Sequence, residues 1–459
     1  MRSLPSAASS VAGGSVPERA GRGLRLPGFR PSGWLLILGI AAGTTACDSL
    51  LNVDIPSQVI ADELGNPTLA GLLVHSALTD FECAWGRYVL AQGIEGDEFA
   101  DAQFFNGGYW GTDRRNTTDE ANPLHSSSCD VGLGAEAFPG IYTPLQVARY
   151  QADDVARRLD GWSTVAGRDS LKAKLRLYGG YSLVLLGESY CSMVIDVGPE
   201  LTRAATFGEA ETRFTEAITL AQAAGAAGTA TRNAALVGRA RARLNIAVAN
   251  NQVVNTAKLA EAAADAQQVP AGFVFNASFG DNVPRRYNST FHSNNFSAYF
   301  TVEDDFRNLT DMGVPDPRVR VVNEGRAAFN GVTPLWTQRK YATRASPMPV
   351  ARYAEAQLII AEAQGGQSAV NIINALHSAA GIPPFPGGTA AEIRQHIIEE
   401  RARELYVEGH HLGDKLRYAL PFTPAAGTPF PPHAGGIYGS TTCLPLPRAE
   451  KDNNPNFPH

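Results

Sequence analysis

The sequence of 459 residues lacks several features that would assign a function directly. Its formal net charge is −6 and it shows no clustered basic face, which argues against a nucleic-acid-binding protein. Beyond the N-terminal segment there is no apolar run long enough to cross a bilayer, and no polybasic segment for electrostatic docking to a membrane. The sequence also contains no complete EF-hand loop, no Gly-x-Ser-x-Gly elbow and no phosphate-binding glycine loop. What remains is a large globular chain with an acidic, mixed surface.

The N-terminal segment has the order of charged, apolar and small residues that is typical of a secretory signal. Five arginines and one acid precede an apolar run at 34–42, which is too short for a stable transmembrane helix. Small residues and Cys47 follow and resemble the lipobox of bacterial lipoproteins, although Thr44 stands where that motif usually has leucine. We predict a lipoprotein signal peptide over 1–46, lipidation of Cys47 and a tether over 47–66. A secreted protein cleaved nearby and an uncleaved anchor are the alternatives.

Four cysteines remain if Cys47 carries the lipid, namely Cys83, Cys129, Cys191 and Cys443. An even number in an exported protein favours two disulfides, and four cysteines allow three pairings. We favour Cys83–Cys129 because a short loop costs little closure entropy. The second bond, Cys191–Cys443, would then attach the C-terminal tail to the domain. No spacing of cysteine and histidine typical of zinc is present, so we expect no metal at these cysteines.

The region 67–459 is expected to form one domain in which most segments have helical periodicity. Pairs of helices are expected over about 67–267 and 352–420, and a capping box begins at Thr389. Between them, about 269–350 is rich in Pro, Gly, Asn and aromatics, and we expect a loop-rich insertion with a few short strands. Recurring helix pairs suggest stacked helix–turn–helix repeats, although no strict repeat consensus is visible.

Two C-terminal segments carry a recognisable pattern. The first, Pro349–Ala363, reads PVARYAEAQLIIAEA, and the second, Ile398–Arg417, reads IEERARELYVEGHHLGDKLR. Upstream of both stands the tripeptide Asp316-Pro317-Arg318. Together these segments resemble the signature of the SusD/RagB family of outer-membrane nutrient-binding lipoproteins. Two positions depart from the family pattern, His411, where arginine is common, and Lys415, where leucine is common.

This resemblance implies a mostly α fold, a tetratricopeptide-like superhelix of helix pairs with the loop-rich insertion packed on it. It implies a lipid-anchored protein on the outer membrane that binds a nutrient, an oligosaccharide or a peptide, and delivers it to a SusC-like TonB-dependent transporter. Such a protein is not an enzyme and needs no cofactor. Two other classes stay open: a secreted or lipidated glycan-active hydrolase, which would need two converging carboxylates, and a helical-repeat scaffold with a protein partner.

Ligand capture by such a protein should use aromatic rings flanked by polar groups, because flat rings stack on the apolar faces of sugars or on peptide side chains. The strongest single candidate is Trp110, which stands in a polar, glycine-rich context. The candidate ligand-binding residues are Phe104, Phe105, Tyr109 and Trp110 in one loop region, and Tyr287, Phe291, Phe296, Tyr299 and Trp336 in the insertion.

The charged residues near the second signature segment are interpreted as a scaffold. On a continuous helix, Arg401 would form a buried or half-buried ion pair with Glu404 or Glu408. The acidic segment 95–98 is interpreted as a solvated turn. A structural calcium ion or sugar hydroxyls at this segment are the alternative, because hard cations prefer carboxylate oxygens.

Overall fold

The structure is a computed structural model that describes residues 61–103, 113, 115–118, 129, 140–430 and 436–457. The chain divides into two compact units, residues 1–63 and residues 64–459, and the second contains the elements given below. The predicted signal peptide, the lipidation of Cys47 and most of the tether lie outside the described residues. Among the helices that are described, none combines the length and the apolar character needed to cross a bilayer.

The α-helix is the main regular element of the described chain. In order the helices are α1 (Ala70–Glu95), α2 (Tyr142–Gly161), α3 (Arg168–Ser189), α4 (Arg203–Ala223), α5 (Thr229–Ala247), α6 (Thr256–Ala266), α7 (Tyr353–Gln364), α8 (Gly366–Ala380), α9 (Ala390–Glu404), α10 (His411–Tyr418) and α11 (Arg448–Asn453). From α1 to α9, each helix packs against the next one along the chain, so that consecutive helices form stacked layers. Such stacking is typical of tetratricopeptide-like helix pairs, and the predicted mostly α fold is confirmed.

Two glycines allow three of these helices to approach closely around one aromatic ring. A Cβ atom added to Gly180 of α3 would lie 2.8 Å from the ring of Phe214 on α4, and one added to Gly238 of α5 would lie 2.4 Å from the same ring. The Tyr181 ring meets Phe214 edge-on at 5.0 Å, and its hydroxyl donates to the Ala234 carbonyl. Glycine inside a helix costs about 1 kcal/mol relative to alanine, and here the close packing of Phe214 offsets that cost.

The strands of the described chain are short and pair antiparallel in twos. They are β1 (Phe99–Asp101), β2 (Ser192–Met193), β3 (Leu201–Thr202), β4 (Val248–Ala249), β5 (Gln252–Val253), β6 (Val274–Ala277), β7 (Phe300–Val302), β8 (Thr310–Asp311), β9 (Val314–Pro315), β10 (Val321–Ala327), β11 (Pro334–Gln338) and β12 (Met348–Arg352). The pairs are β1–β7, β2–β3, β4–β5, β6–β12, β8–β9 and β10–β11. The insertion between α6 and α7 contains β6 to β12, and β6 and β12 pack against α5.

Two disulfides connect distant parts of the chain, Cys83–Cys129 and Cys191–Cys443. This is the pairing that the sequence favours. At the second bond, the backbone N–H of Cys191 also donates to the carbonyl of Leu444 at 2.9 Å, so the C-terminal tail lies against the end of α3.

Several charged residues of the second signature segment form buried or half-buried ion pairs, but not with the partners expected from the sequence. Arg401 donates to both oxygens of Asp414, at 2.8 and 3.0 Å. Glu404 and Glu408 instead accept from Arg352, each at 2.7 Å. The expected pairing of Arg401 with Glu404 or Glu408 is therefore wrong. Helix α9 ends at Glu404, so the helical spacing on which that expectation depended does not continue to Glu408.

A second buried ion pair connects α3, α5 and the loop after α9. Arg241 donates from Nε to Glu188 Oε1 at 2.8 Å and from a terminal nitrogen to the carbonyl of Gly409 at 2.6 Å. The same carboxylate accepts from the Tyr88 hydroxyl at 3.0 Å and from the Asn245 amide at 2.8 Å. Because every acceptor position of Glu188 has a donor, this buried charge is compensated on several sides.

The acidic segment 95–98 is buried, so its interpretation as a solvated turn is wrong. Asp97 forms an ion pair with Lys415, and Glu98 accepts from the backbone N–H of Val407 at 2.8 Å. Burial raises the pKa of Glu98 to about 7, although that hydrogen bond from Val407 lowers it in part. These contacts join the end of α1 to the second signature segment.

Candidate ligand-binding site

An aromatic cluster with two exposed rings lies on the insertion, and we call it the aromatic platform. It consists of Tyr287, His292, Phe296, Tyr299, Phe329 and Arg344. Phe296 is 62% exposed and Phe329 is 50% exposed. Large apolar rings that remain in water at one place on a surface mark a candidate for ligand binding.

A short π-helical turn, Phe291–Phe296, places Phe296 at the surface. The side chain of Asn294 is fully buried and donates to the carbonyls of Phe300 and Trp336, at 2.9 and 3.0 Å. Its oxygen accepts from the backbone N–H of Gln338 at 2.9 Å. One asparagine thus attaches the turn to β7 and β11, so that Phe296 is presented from a fixed backbone. Single π-helical turns of this kind occur frequently at functional sites.

Arg344 brings a positive charge onto the platform. Its guanidinium carbon lies 3.8 Å from the ring centre of Phe296 and 4.5 Å from that of Tyr287, which are cation–π distances. Its Nε donates to His292 Nδ1 at 3.0 Å, and the His292 ring stacks on Phe296 at 5.5 Å. Within the described chain the two terminal nitrogens of Arg344 have no hydrogen-bond acceptor, so they remain available for a ligand.

Asn288 fixes the loop that carries Arg344. The backbone N–H of Asn288 donates to the Arg344 carbonyl at 2.8 Å, and its side-chain amide donates to the Ser346 carbonyl at 2.9 Å. Its side-chain oxygen accepts from the backbone N–H of Phe291 at 3.0 Å. Asn288 therefore holds the arginine loop against the start of the π-helical turn, which keeps Arg344 and Phe296 together.

Tyr299 and Phe329 form the second aromatic pair of the platform. Their ring centres lie 4.9 Å apart in an edge-on arrangement. The backbone N–H of Phe329 donates to the Ala298 carbonyl, and that of Asn330 donates to the Ala102 carbonyl, each at 2.9 Å. Ala102, near the end of the described segment 61–103, therefore lies beside this pair.

The predicted ligand-binding residues fall into three groups. Phe104, Phe105, Tyr109 and Trp110 lie outside the described residues. Tyr287, Phe296 and Tyr299 belong to the platform. Phe291 and Trp336 are half-buried and pack against the main hydrophobic core, and Arg307 covers the Trp336 ring at 5.3 Å.

Sequence reasoning missed His292, Phe329 and Arg344. Phe329 carried a usable signal, because it precedes Asn-Gly in a turn between two strands, where a packed core is unexpected. Arg344 carried none, since its role depends on rings about 50 residues earlier in the chain that only the fold brings beside it.

A separate groove of about 860 Å³ lies on the helical stack, between α2 and α11. Tyr142, Gln146 and Tyr150 line it, and none of its lining residues belongs to the platform. The charged residues that line the groove already form ion pairs, for example Arg158 with Asp154 at 2.6 Å. The groove is thus large, but it offers few unpaired polar groups for recognition.

The profile of the SusD family, SusD_RagB, matches residues 247–456, a region that contains the platform and both signature segments. Residues 247–456 belong to the SusD family. Among curated protein sequences there is no significant match. In this SusD-family region, the buried ion pairs of the signature segments fix α9 and α10 against the helical stack.

The fold of this chain is similar to that of several solved structures at low sequence identity. A SusD homolog from Bacteroides thetaiotaomicron matches with 15% identity and a TM-score of 0.64, over 87% of this chain and 98% of that one. A SusD-like carbohydrate binding protein from Bacteroides vulgatus matches with 14% identity and a TM-score of 0.62, over 85% and 97%. Surface glycan-binding protein A from Bacteroides uniformis matches with 14% identity and a TM-score of 0.60, over 84% and 98%.

Proposed function

We propose that this protein binds an oligosaccharide on the aromatic platform and delivers it, as a non-catalytic lipoprotein anchored through Cys47, to a SusC-like TonB-dependent transporter in the outer membrane. The observation that carries the ligand proposal is the exposure of Phe296 beside the Arg344 guanidinium. The carbohydrate-binding descriptions of two structural neighbours support the ligand class.

The chemistry of the platform suits a sugar. The C–H faces of a pyranose are apolar and stack on flat rings such as Phe296 and Phe329. The terminal nitrogens of Arg344 are donors in a fixed plane, which suits neighbouring hydroxyl oxygens. A ligand that covers the platform would also remove the exposed rings from water, at about 25 cal/mol per Å² of apolar surface.

The same residues favour binding over hydrolysis. Glycoside hydrolysis uses two carboxylates that flank the scissile bond, and none of the six platform residues is a carboxylate. Three carboxylates of the second signature segment, Glu400, Glu408 and Asp414, are held by arginines in the interior. These buried ion pairs support a scaffold role for the charged motif.

A glycan panel tested by isothermal titration calorimetry checks the ligand proposal. We expect Phe296→Ala to weaken the best glycan roughly tenfold, since it removes an exposed anchor ring. Tyr150→Ala is the matched control, because Tyr150 is an exposed aromatic residue that lines the groove instead. The opposite result, with the loss in Tyr150→Ala alone, would move the site to the groove. Binding of peptides and of no glycan would overturn the ligand class.

Delivery and anchoring need measurements of their own. Purification from detergent-solubilised outer membrane should recover the protein with a large β-barrel partner, and repeated recovery as a free monomer contradicts the transporter proposal. Mass spectrometry of the natural N-terminus should show a diacylglyceryl group on Cys47. An intact leader with an unmodified Cys47 contradicts the lipoprotein proposal.

A further inference from the structure

Four buried side chains with metal-binding groups converge where the insertion meets two C-terminal helices. They are Asp311 at the end of β8, His377 on α8, and His396 and Glu400 on α9. One ligand atom from each lies within 4.8 Å of the other three. We call these residues the four-ligand cluster; none of them belongs to the aromatic platform.

The separations are close to those of a tetrahedral metal site. His377 Nε2 lies 2.9 Å from Glu400 Oε1 and 3.3 Å from Asp311 Oδ2, and His396 Nε2 lies 3.8 Å from Glu400 Oε1. Zinc bonds of about 2.0–2.1 Å at tetrahedral angles place ligand atoms about 3.3 Å apart. These three separations lie within about 0.5 Å of that value and the others do not exceed 4.8 Å, so side-chain shifts of about 1 Å would bring the four atoms to the required distance.

The hydrogen bonding of His377 determines which of its ring nitrogens faces the cluster. Its Nδ1 lies 2.9 Å from the carbonyl of Pro383, which only accepts, so Nδ1 carries the hydrogen. A neutral His377 then directs the lone pair of Nε2 toward two carboxylate oxygens, which is repulsive. Either a proton on Nε2 or a bound cation removes that repulsion.

His396 distinguishes between these two possibilities. The residue is 7% exposed, and its Nε2 has no hydrogen-bond partner within the described chain. Its ring stacks on Phe385 with centres 4.0 Å apart, which fixes its orientation. With its ring held in this position, His396 presents an unpartnered, buried Nε2 to the cluster that can act as a ligand. If a proton on His377 removes the repulsion, His396 Nε2 still has no partner. A bound metal ion removes the repulsion and also gives His396 Nε2 a partner.

The surroundings of the cluster also resemble those of metal sites. Metal-bound histidines usually donate their second ring N–H to a backbone carbonyl or a carboxylate, as His377 does to Pro383. Metal-bound carboxylates are usually hydrogen-bonded as well, and Arg318 donates to Glu400 Oε2 at 2.7 Å and to Asp311 Oδ2 at 2.9 Å.

We propose that Asp311, His377, His396 and Glu400 bind one structural divalent transition-metal ion, with zinc as the best match. Two imidazoles and two carboxylates suit zinc, whereas calcium and magnesium prefer oxygen ligands alone. Four protein ligands close the coordination sphere, which is typical of a structural site. The ion would join β8 of the insertion to α8 and α9.

The test uses the full chain without a histidine tag, purified without chelators. Elemental analysis should find about one zinc per chain, and replacement by Co²⁺ should give the visible absorption of a tetrahedral site. Removal of the metal with a chelator should lower Tm, and added Zn²⁺ should restore it, because binding to the folded state raises its stability.

Substitutions test whether the four-ligand cluster is the place where the metal binds. His396→Ala should weaken Zn²⁺ binding at least tenfold, and His75→Ala, at an exposed histidine of α1, should leave it unchanged. If His396→Ala does not fold, the Co²⁺ spectrum and zinc content of the unaltered chain decide alone. A chain that binds neither Co²⁺ nor Zn²⁺, with Tm insensitive to both, overturns the proposal and leaves a proton on His377. Equal loss in both variants shows surface binding and overturns it as well.

Discussion

Arg401 and Arg344 both lie in the region matched by the SusD family, and their surroundings differ in every physical respect. Arg401 is buried, and both oxygens of Asp414 accept from its guanidinium. Arg344 lies over two aromatic rings, and the ring nearer to it, Phe296, is largely exposed. The first arginine belongs to a network that joins helices, and the second lies on a surface where its terminal nitrogens have no acceptor among the described residues.

This comparison shows why the most recognisable motif of the chain is not its candidate binding site. A buried charge that loses its partner is strongly destabilising, so the residues of such a network constrain one another. An exposed ring contributes little to folding because it stays in water, and it becomes favourable only when a ligand covers it. Changes in the network should therefore alter stability, and changes on the platform should alter binding.

The largest expected effect comes from breaking the network at Arg241. Arg241→Ala leaves the Glu188 carboxylate buried without its cation and should lower the free energy of unfolding by about 3–5 kcal/mol. Urea denaturation followed by circular dichroism measures the change. The control is Arg157→Ala, which removes an exposed ion pair with Asp154 and should cost less than about 1 kcal/mol. Equal losses of unfolding free energy in the two variants would mean that the buried ion pair contributes no more to stability than the exposed one.

The next effect depends on pH and concerns Glu355. Burial raises its pKa to about 7 in the folded protein from an unfolded value of 4.5, although Arg241 opposes the shift. Its contribution to stability is therefore complete below pH 4.5 and is lost as the pH rises to about 7, at a cost of at most about 3 kcal/mol. Glu355→Gln remains neutral and should be more stable than the unaltered protein at pH 8, with the advantage disappearing near pH 4.5.

Urea midpoints at pH 5 and pH 8 measure this difference. Glu399→Gln, at a half-exposed carboxylate of α9, is the control and should show no comparable change between the two pH values. If Glu355→Gln is less stable than the unaltered protein at pH 8, the attraction of the nearby arginines outweighs burial and the stated direction is wrong.

On the platform, Phe329→Ala should weaken glycan binding roughly tenfold without a comparable loss of stability. The ring is half exposed, so little of it is removed from water on folding. Calorimetry gives the affinity and thermal unfolding gives Tm. A large fall in Tm with unchanged affinity would place Phe329 in the scaffold and would break the distinction between the two regions.

The smallest effect is expected for Arg344→Lys. Lysine keeps the charge but loses the planar guanidinium that lies over Phe296 and donates to His292, so affinity should fall about threefold. Arg339→Lys, at a half-exposed arginine of the insertion, is the matched control and should bind as the unaltered protein does. Equal affinities for Arg344→Lys and the unaltered protein would show that the planar shape of the guanidinium does not contribute to glycan affinity.

Local pattern was sufficient to predict a mostly helical chain, and the family resemblance added the tetratricopeptide-like arrangement of its helices. Helical periodicity and a capping box at Thr389 predicted helices, and the structure shows that box at the start of α9. The change of composition after residue 268 predicted the insertion, where the described elements are short strands and turns. These features depend on neighbours within a few residues, which is why a single sequence reveals them.

Partners across the fold were not predictable in this way. The pairing of Arg401 with Asp414, the burial of Asp97 and Glu98, and the joining of Arg344 to Phe296 all connect segments whose relative position only tertiary packing sets. The four-ligand cluster belongs to the same class, because β8, α8 and α9 each contribute residues with no motif spacing between them. The sequence by itself determined which segments form helices, and the packing of those helices decided which charges are buried and which rings face the solvent.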